Sequence, residues 1–405
     1  MNSKNVLIVV DVYSPEISST SHLMQELAEG LVKLGHKVTV VTAYPKTYLV
    51  DSLRGKDFQQ IEVLNGVRVI RAKTLPLRKV NFIIRGISQL FLPILFYYQV
   101  RKNIREKIDV VINYCPPLPQ AIVGQLVKKS YGSKFILNLQ DIFPQNAIDL
   151  GILKNKLIIK FYEFLEAKVY QWADLITFNS KKGREFLIKN KNINPEKIIF
   201  LPNWVDVDGF DNDKLIDYRK EYGLDGKLVF LFGGIIGPAQ GLDFLSEVAR
   251  RVADLDDIRF LIVGDGTEKE KLVSKIKEYG LSNIILKDFI EKKYYPSLVS
   301  SFDVGIVALN SKNKTPFLPG KFLGYMAAGK PIFAFLNKES DGFELIEGAR
   351  CGYAVLAGDV EAAEKAIRKF YEERNNLKEK AGNSFSYAKN NLDTKVILRK
   401  IEGLF

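Results

Sequence analysis

The run Asn5-Val-Leu-Ile-Val-Val10 is continuously apolar, rich in β-branched residues and too short for a helix. A proline-containing loop follows, then an amphipathic helical pattern over 21–34, a Gly35-His36-Lys37 turn and a second apolar run at 38–42. Strands that lack polar alternation are those buried on both faces, and parallel neighbours need a long crossover between them, usually a helix. The chain therefore opens as a βαβ unit of a parallel sheet.

The same alternation extends outward from this unit. Runs at 110–113, 134–139, 175–178 and 197–200 are separated by helical stretches. A further pair, 61–63 and 67–72, flanks Asn65-Gly66, a dipeptide suited to a two-residue hairpin turn at a sheet edge. A second series starts at 228–232 and 260–263 and continues through 283–286, 304–307, 332–335 and 353–356. Two such series predict an α/β protein built of two Rossmann-like domains. Polar residues replace the periodic pattern at 202–222, which places the domains at 1–203 and 204–382. Residues 383–405 read as a last helix packing back on the first domain. Open parallel sheets bind ligands beyond the carboxyl ends of their strands, where strand order reverses. The expected active site is a cleft between the two facing sheets.

A chain of 405 residues is too long for one ordinary core, and 47% hydrophobic with 26% charged residues is globular rather than disordered. The formal charge of +12 points to nucleic acid, anionic lipid or a phosphate-rich small substrate. No basic run is interleaved with aromatics, which puts lipid and phosphate ahead of nucleic acid. Cys115 and Cys351 are the only cysteines, so the reading is a reducing compartment without disulfide or zinc framework. With only His22 and His36, histidine-based metal centres and serine-type triads lack material. The amino terminus has no signal-peptide apolar region and reads as the first strand.

Three strand–turn–helix junctions in the second half carry candidate chemistry. Phe232 runs into Gly233-Gly234-Ile-Ile-Gly237-Pro-Ala-Gln240-Gly241, and glycines there would let backbone amides approach an anion. The same glycines equally suit a turn that permits close packing. Gly264-Asp265-Gly266 repeats the geometry, with Asp265 expected to cap the next helix. Pro319-Gly320 places Lys321 in the first turn of a short apolar helix ending at Gly329-Lys-Pro331, a helix start and lysine suited to a diphosphate.

These segments resemble, in order and over nearly the whole chain, the family 4 glycosyltransferases of the two-domain GT-B type. Lys321-Phe-Leu-Gly324-Tyr-Met-Ala-Ala-Gly329-Lys-Pro331 is similar to the family's donor-binding segment, and Gly264-Asp265-Gly266 to its Gly-Asp-Gly turn. Tyr13-Ser14-Pro15-Glu16-Ile17, Cys115-Pro116-Pro117-Leu118, Asn138-Leu-Gln-Asp141-Ile-Phe-Pro144 and Pro202-Asn203-Trp204-Val205-Asp206 match motifs of the amino-terminal half and the hinge. The branch resembled makes bacterial surface polysaccharides and includes fucosamine transferase-like and colanic-acid-type enzymes. The resemblance implies a retaining transferase without metal or other cofactor. It would move a hexosyl or N-acetylaminosugar from a UDP-sugar to a polyprenyl-diphosphate-linked saccharide. The donor would be held by Gly233, Gly234, Gln240, Gly264, Asp265, Phe289, Ile290, Pro319, Gly320, Lys321 and Gly324. The acceptor side would comprise Ser18, Ser19, Pro116 and Asn138. Asp141 is the candidate general base or acceptor-positioning group, with bracing of the Ile142-Phe143-Pro144 turn as the alternative; Glu16 is the weaker candidate. Lys321 would neutralise the leaving diphosphate.

Departures from the pattern are informative. Pro316 and Gly324 stand where many family members have glutamates, so ribose recognition must use other groups. Gly234 and Gln240 stand where a basic pair is usual, which throws the phosphate charge onto Lys321. Ser18-Ser19 replaces glycines of the first loop. The apolar stretch 82–100, flanked by Arg78, Lys79, Arg101, Lys102, Arg105 and Lys107, is interrupted by Arg85 and Pro93 and makes a poor transmembrane span. It is either an interfacial helix on an anionic membrane or a buried helix with basic ends. The former suits a cytoplasmic enzyme peripheral to the inner face of the plasma membrane. Rival readings are a nucleotide-sugar 2-epimerase of the same form and a degenerate, non-catalytic nucleotide-sugar-binding subunit.

Overall fold

The computed structural model describes residues 2–46, 49, 53, 55–77, 81–210 and 216–405, so Arg78 and Lys79 lie outside the described residues. Two compact units form, 1–203 with 394–405 and 204–393. The first unit runs through β1 (Asn5–Val9), α1 (Ser19–Lys33), β2 (Lys37–Ala43), β3 (Ile61–Leu64), β4 (Val67–Ala72), α2 (Phe82–Asn103) and β5 (Val110–Cys115). It continues with α3 (Ile122–Tyr131), β6 (Lys134–Leu139), α4 (Gln145–Asp149), α5 (Lys156–Trp172), β7 (Leu175–Phe178), α6 (Lys181–Lys191) and β8 (Ile198–Phe200). Its eight strands among the described residues are ordered β3-β4-β2-β1-β5-β6-β7-β8, parallel except for β3. The edge hairpin β3–β4 turns on Asn65 (φ 49°) and Gly66 (φ 83°), both left-handed as a type I′ turn requires.

The second unit contains α7 (Tyr218–Glu221), β9 (Leu228–Gly233), α8 (Asp243–Arg251), β10 (Ile258–Val263), α9 (Lys269–Glu278), β11 (Ile284–Lys287) and α10 (Tyr295–Ser300). Then follow β12 (Val304–Ala308), α11 (Lys321–Ala327), β13 (Ile332–Leu336), α12 (Gly342–Ala349), β14 (Gly352–Leu356), α13 (Val360–Glu372) and α14 (Lys378–Asn391). Its six strands are all parallel, in the order β11-β10-β9-β12-β13-β14. Side chains of a strand alternate between sheet faces. Accordingly Phe230, Phe260, Ile306 and Phe333 join one buried layer, and Val229, Leu231, Leu261 and Val307 the other. Phe230 packs edge-on against Phe333 and Phe370, with ring centroids 6.1 and 5.6 Å away.

The sequence reading of 383–405 as one helix is corrected. α14 ends at Asn391, and α15 (Thr394–Glu402) is a separate helix belonging to the first unit. Leu392-Asp393 is occupied by backbone pairing with the hinge: Val205 N–H donates to the Leu392 carbonyl at 3.0 Å, and Val205 bridges Asp393. α15 docks on α1, where the absence of a side chain at Gly30 leaves room for Leu398. His36 takes the Lys4 N–H on Nδ1, faces Glu402 at 3.3 Å through Nε2 and stacks edge-on with Phe405.

Candidate active site

In each sheet strand order reverses at one place: between β1 and β5 in the first unit, between β9 and β12 in the second. Loops leaving the carboxyl ends of those strands are where an open parallel sheet receives a ligand. In the second unit these are the Gly233–Gly241 segment and the chain from Leu309 to Lys321.

Lys321 is the first residue of α11, preceded by Gly320 without a side-chain cap. Its ammonium lies 4.5 Å from the centroid of the Phe232 ring. The same nitrogen is packed against Gly234 so closely that a built Cβ there would lie 2.9 Å from it. Gly234 also has φ 140°, so the position excludes side chains on two grounds. No carboxylate pairs with Lys321 among the described residues. Burial alone lowers its pKa, from the ordinary value near 10.5 to about 8. A cation so enclosed, with only an aromatic face for company, is stabilised by an anion that enters beside it.

Of the two readings open for the glycine loop, its hydrogen bonds favour the close-packed turn. Gly233 N–H donates to the Tyr325 hydroxyl at 3.0 Å, and that hydroxyl donates onward to the Leu231 carbonyl. Gly234 N–H is taken by the Val263 carbonyl, Ile236 N–H by the Asp265 carbonyl and Gly237 N–H by the Gln240 side-chain oxygen. Most of the loop's donors are thus used internally, and close packing is the main work of its glycines. Gln240 folds back on its own loop. Asn310, two residues beyond β12, pins that loop, its N–H on the Ala239 carbonyl and its side chain on the Pro238 carbonyl.

Gly264 packs directly on the Gly234 carbonyl and Gly266 on that of Ile236, so this turn buttresses the first loop. Asp265 is not the cap expected for α9, which starts at Lys269 after Glu268 without a side-chain cap. Its carboxylate instead accepts from the Gly266 N–H, one residue on, and stays largely in solvent. Phe289 is exposed beyond β11, while Ile290 packs on the core. Pro319 closes the entry to α11 by accepting the Phe322 N–H. At Gly324 a built Cβ would fall 2.9 Å from both Cε1 and the hydroxyl oxygen of Tyr295, whose ring also lies against Gly233. Tyr295 thus fills the space that a side chain at 324 would take.

In the first unit, Asp141 follows β6 at the carboxyl edge. The turn after it is closed by main chain, Phe143 N–H to the Asp141 carbonyl, and α4 has no side-chain cap. Burial raises the pKa of the Asp141 carboxylate. Glu16 is buried, with Oε1 accepting the Lys46 N–H at 3.1 Å. Ser18 serves as N-cap of α1, accepting the Ser21 N–H, and Ser19 is the first helical residue. Pro116, part-exposed, follows β5, and Asn138 is buried: it donates to Thr177 and accepts from Gln140. Gln140 in turn accepts from Asn179 and Asn203, tying three strand ends together.

Sequence reasoning missed Tyr295, Tyr325 and Arg71. Arg71 is fully buried, pairs with Glu62 and donates to the Ser14 carbonyl at 2.9 Å, which fixes the first loop from beneath. The signal for Tyr325 was Gly305 inside a buried strand, since a Cβ there would collide with the Tyr325 ring.

Residues 226–373 match the model for glycosyl transferases group 1, and residues 21–204 that for the glycosyl transferase 4-like domain. The chain belongs to the group 1, family 4 glycosyltransferases. This transferase is similar to the putative colanic acid biosynthesis glycosyl transferase WcaI of Escherichia coli, with 25% identity over 78% of the chain and 79% of the relative. It is also similar to the Campylobacter jejuni N-acetylgalactosamine-N,N'-diacetylbacillosaminyl-diphospho-undecaprenol 4-alpha-N-acetylgalactosaminyltransferase, at 28% identity over 40% of the chain and 41% of the relative. Among solved structures, Anabaena HepE in complex with UDP and glucose superposes with a TM-score of 0.73 at 16% identity, covering 99% of each chain. The fold is that of the GT-B glycosyltransferases.

Proposed function

We propose that this glycosyltransferase binds a UDP-sugar in its carboxy-terminal unit. It passes the sugar, with retained configuration, to a saccharide on a polyprenyl diphosphate in bacterial surface polysaccharide synthesis. Lys321 carries the reading: an enclosed ammonium without a carboxylate, at the strand-order switch of a parallel sheet. As the glycosidic bond to the nucleotide breaks, charge builds on the departing diphosphate, and a preorganised cation there lowers that barrier. Asp141, with its raised pKa, receives or orients the acceptor hydroxyl. The UDP-bound HepE structure supports the donor class, and the lipid-linked substrate in the Campylobacter relative's name supports the acceptor class. The enzyme works in the cytoplasm against an anionic membrane surface.

Thermal unfolding with UDP, GDP, ADP and their sugar conjugates tests the donor. A ligand at a hundred times its Kd adds about 2.7 kcal/mol of stability. Stabilisation by the uridine set is expected, and its loss in Lys321→Ala. A flat response across every nucleotide would refute the site. For the acceptor, transfer of radiolabelled sugar to extracted lipid is expected; label recovered only as free sugar would refute it.

A further inference from the structure

α2 carries two apolar faces. Leu92, Phe96 and Val100 point into the core. On the other side Ile84, Ile87, Phe91, Ile94 and Tyr98 follow one another at helical spacing, and all are solvent-exposed, Ile94 by 65%. The helix runs unbroken through Pro93 and contains no acidic residue. α5 repeats the design: Leu157, Phe161 and Phe164 share one face by the same spacing, with Leu157 79% and Phe164 63% exposed. The two helices are neighbours. Both pack on the turn at Leu118–Ala121, and a Cβ built on Gly86 would lie 3.9 Å from the Tyr162 hydroxyl.

Positive charge borders both stripes. Arg101 and Lys102 close the α2 stripe, with the Lys102 ammonium 5.9 Å from the Tyr98 ring centroid. Lys156 and Lys160 flank the α5 stripe, and the Lys168 ammonium lies 5.7 Å from the Phe164 ring centroid at its end. Glu163 is the one exposed acid on α5. No described helix is long and apolar enough to cross a membrane.

We infer that α2 and α5 together form a docking face for an anionic lipid surface, the apolar stripes entering the headgroup region and the lysines and arginines meeting lipid phosphates. An apolar face alone would suit any hydrophobic partner; the basic border selects a negatively charged one. The inference rests on the lipid-linked acceptor reading for its purpose, and on the surface's own charge and exposure for its geometry. It places α5, silent in the sequence, beside the basic-ended apolar stretch of α2.

The test is flotation of the full chain with phosphatidylglycerol-containing vesicles and with phosphatidylcholine vesicles, at low and high salt. Binding to the anionic vesicles, weakened by salt, is expected. Ile94→Glu and Phe164→Glu should each lower the partition coefficient by about tenfold or more, while far-UV circular dichroism and nucleotide-induced thermal stabilisation stay unchanged. Lys160→Glu with Lys168→Glu should remove the preference for anionic lipid. Equal binding by the α5 variants would overturn the two-helix face. Absence of vesicle binding would overturn the lipid assignment, as would a concentration-dependent dimer in sedimentation that Ile94→Glu abolishes. Sugar transfer to the extracted lipid-linked acceptor, assayed beside vesicle binding, separates the two readings: transfer without vesicle binding sinks the docking face alone, and vesicle binding without transfer sinks the acceptor reading alone.

Discussion

Raising the pH should loosen the sugar nucleotide through deprotonation of Lys321. In the free protein burial holds its pKa at about 8. A diphosphate beside the ammonium returns it at least to the ordinary value near 10.5. The complex then binds more protons than the free protein between those values, so affinity is full below pH 8 and falls as pH rises through that window. A difference of about 2.5 pKa units corresponds to a ceiling of roughly 3 kcal/mol. Between pH 7 and pH 9 the free lysine passes from about nine-tenths to about one-tenth protonated, which predicts about a tenfold weakening. Stability of the ligand-free protein moves the other way. A buried charged lysine costs stability below its folded pKa, and that cost is relieved between about pH 8 and 10.5. Titration calorimetry with the stabilising sugar nucleotide, in buffers of differing ionisation enthalpy, reads both affinity and proton uptake. Lys321→Arg should keep binding flat across this range, because guanidinium does not titrate there. Constant wild-type affinity from pH 7 to 9, or the same slope in Lys321→Ala, would refute the assignment.

Three further outcomes follow from the same geometry. Asp141→Asn should lower turnover by about a hundredfold or more with sugar-nucleotide affinity intact. Because burial raises the Asp141 pKa, wild-type activity should fall on the acid side and the residual activity of the variant should not; steady-state kinetics across pH decide. Gly324→Glu drives a side chain into the Tyr295 ring and should cost about 1–3 kcal/mol in urea unfolding. Combining it with Tyr295→Ala should restore part of that, and strict additivity of the two changes would contradict the contact. Tyr325→Phe leaves the Gly233 N–H and the Leu231 carbonyl without their shared hydroxyl and should destabilise by about 1–3 kcal/mol; a wild-type melting temperature would argue against it.

The strand runs were legible because buried parallel strands write themselves as unbroken apolar segments. Asn65-Gly66 was legible because few residue pairs tolerate two left-handed positions in succession. The break at Leu392-Asp393 was less legible. Asn390-Asn391 and Asp393-Thr394 are weak local stop and start signals that the sequence reading passed over, and the break is fixed by pairing with Val205, far away in sequence. Site residues divide in the same way. Lys321 could be found because glycine, proline and lysine fix a helix start locally. Tyr295 could not, since it reaches the site only by packing of α10 against α11. Arg71 carries no local signal of burial, and only the pairing of β4 between β3 and β2 and the packing around it enclose the guanidinium.

The fate of the loop amides has a chemical consequence. An amide nest grips phosphate with fixed dipoles that no accessible pH can alter. Here Gly233, Gly234, Ile236 and Gly237 give their N–H groups to Tyr325, Val263, Asp265 and Gln240, so those dipoles already serve the fold. Beside those occupied amides stands one ammonium, seated on Phe232 and crowded against Gly234. Packing there is tight enough that Gly234→Ala would displace the Lys321 amine rather than merely fill space. Its effect should therefore appear first in sugar-nucleotide affinity, measured calorimetrically, and approach that of Lys321→Ala. A Gly234→Ala protein that melts early yet binds the sugar nucleotide with wild-type affinity would show that the loop's shape, and not its lysine, holds the phosphates.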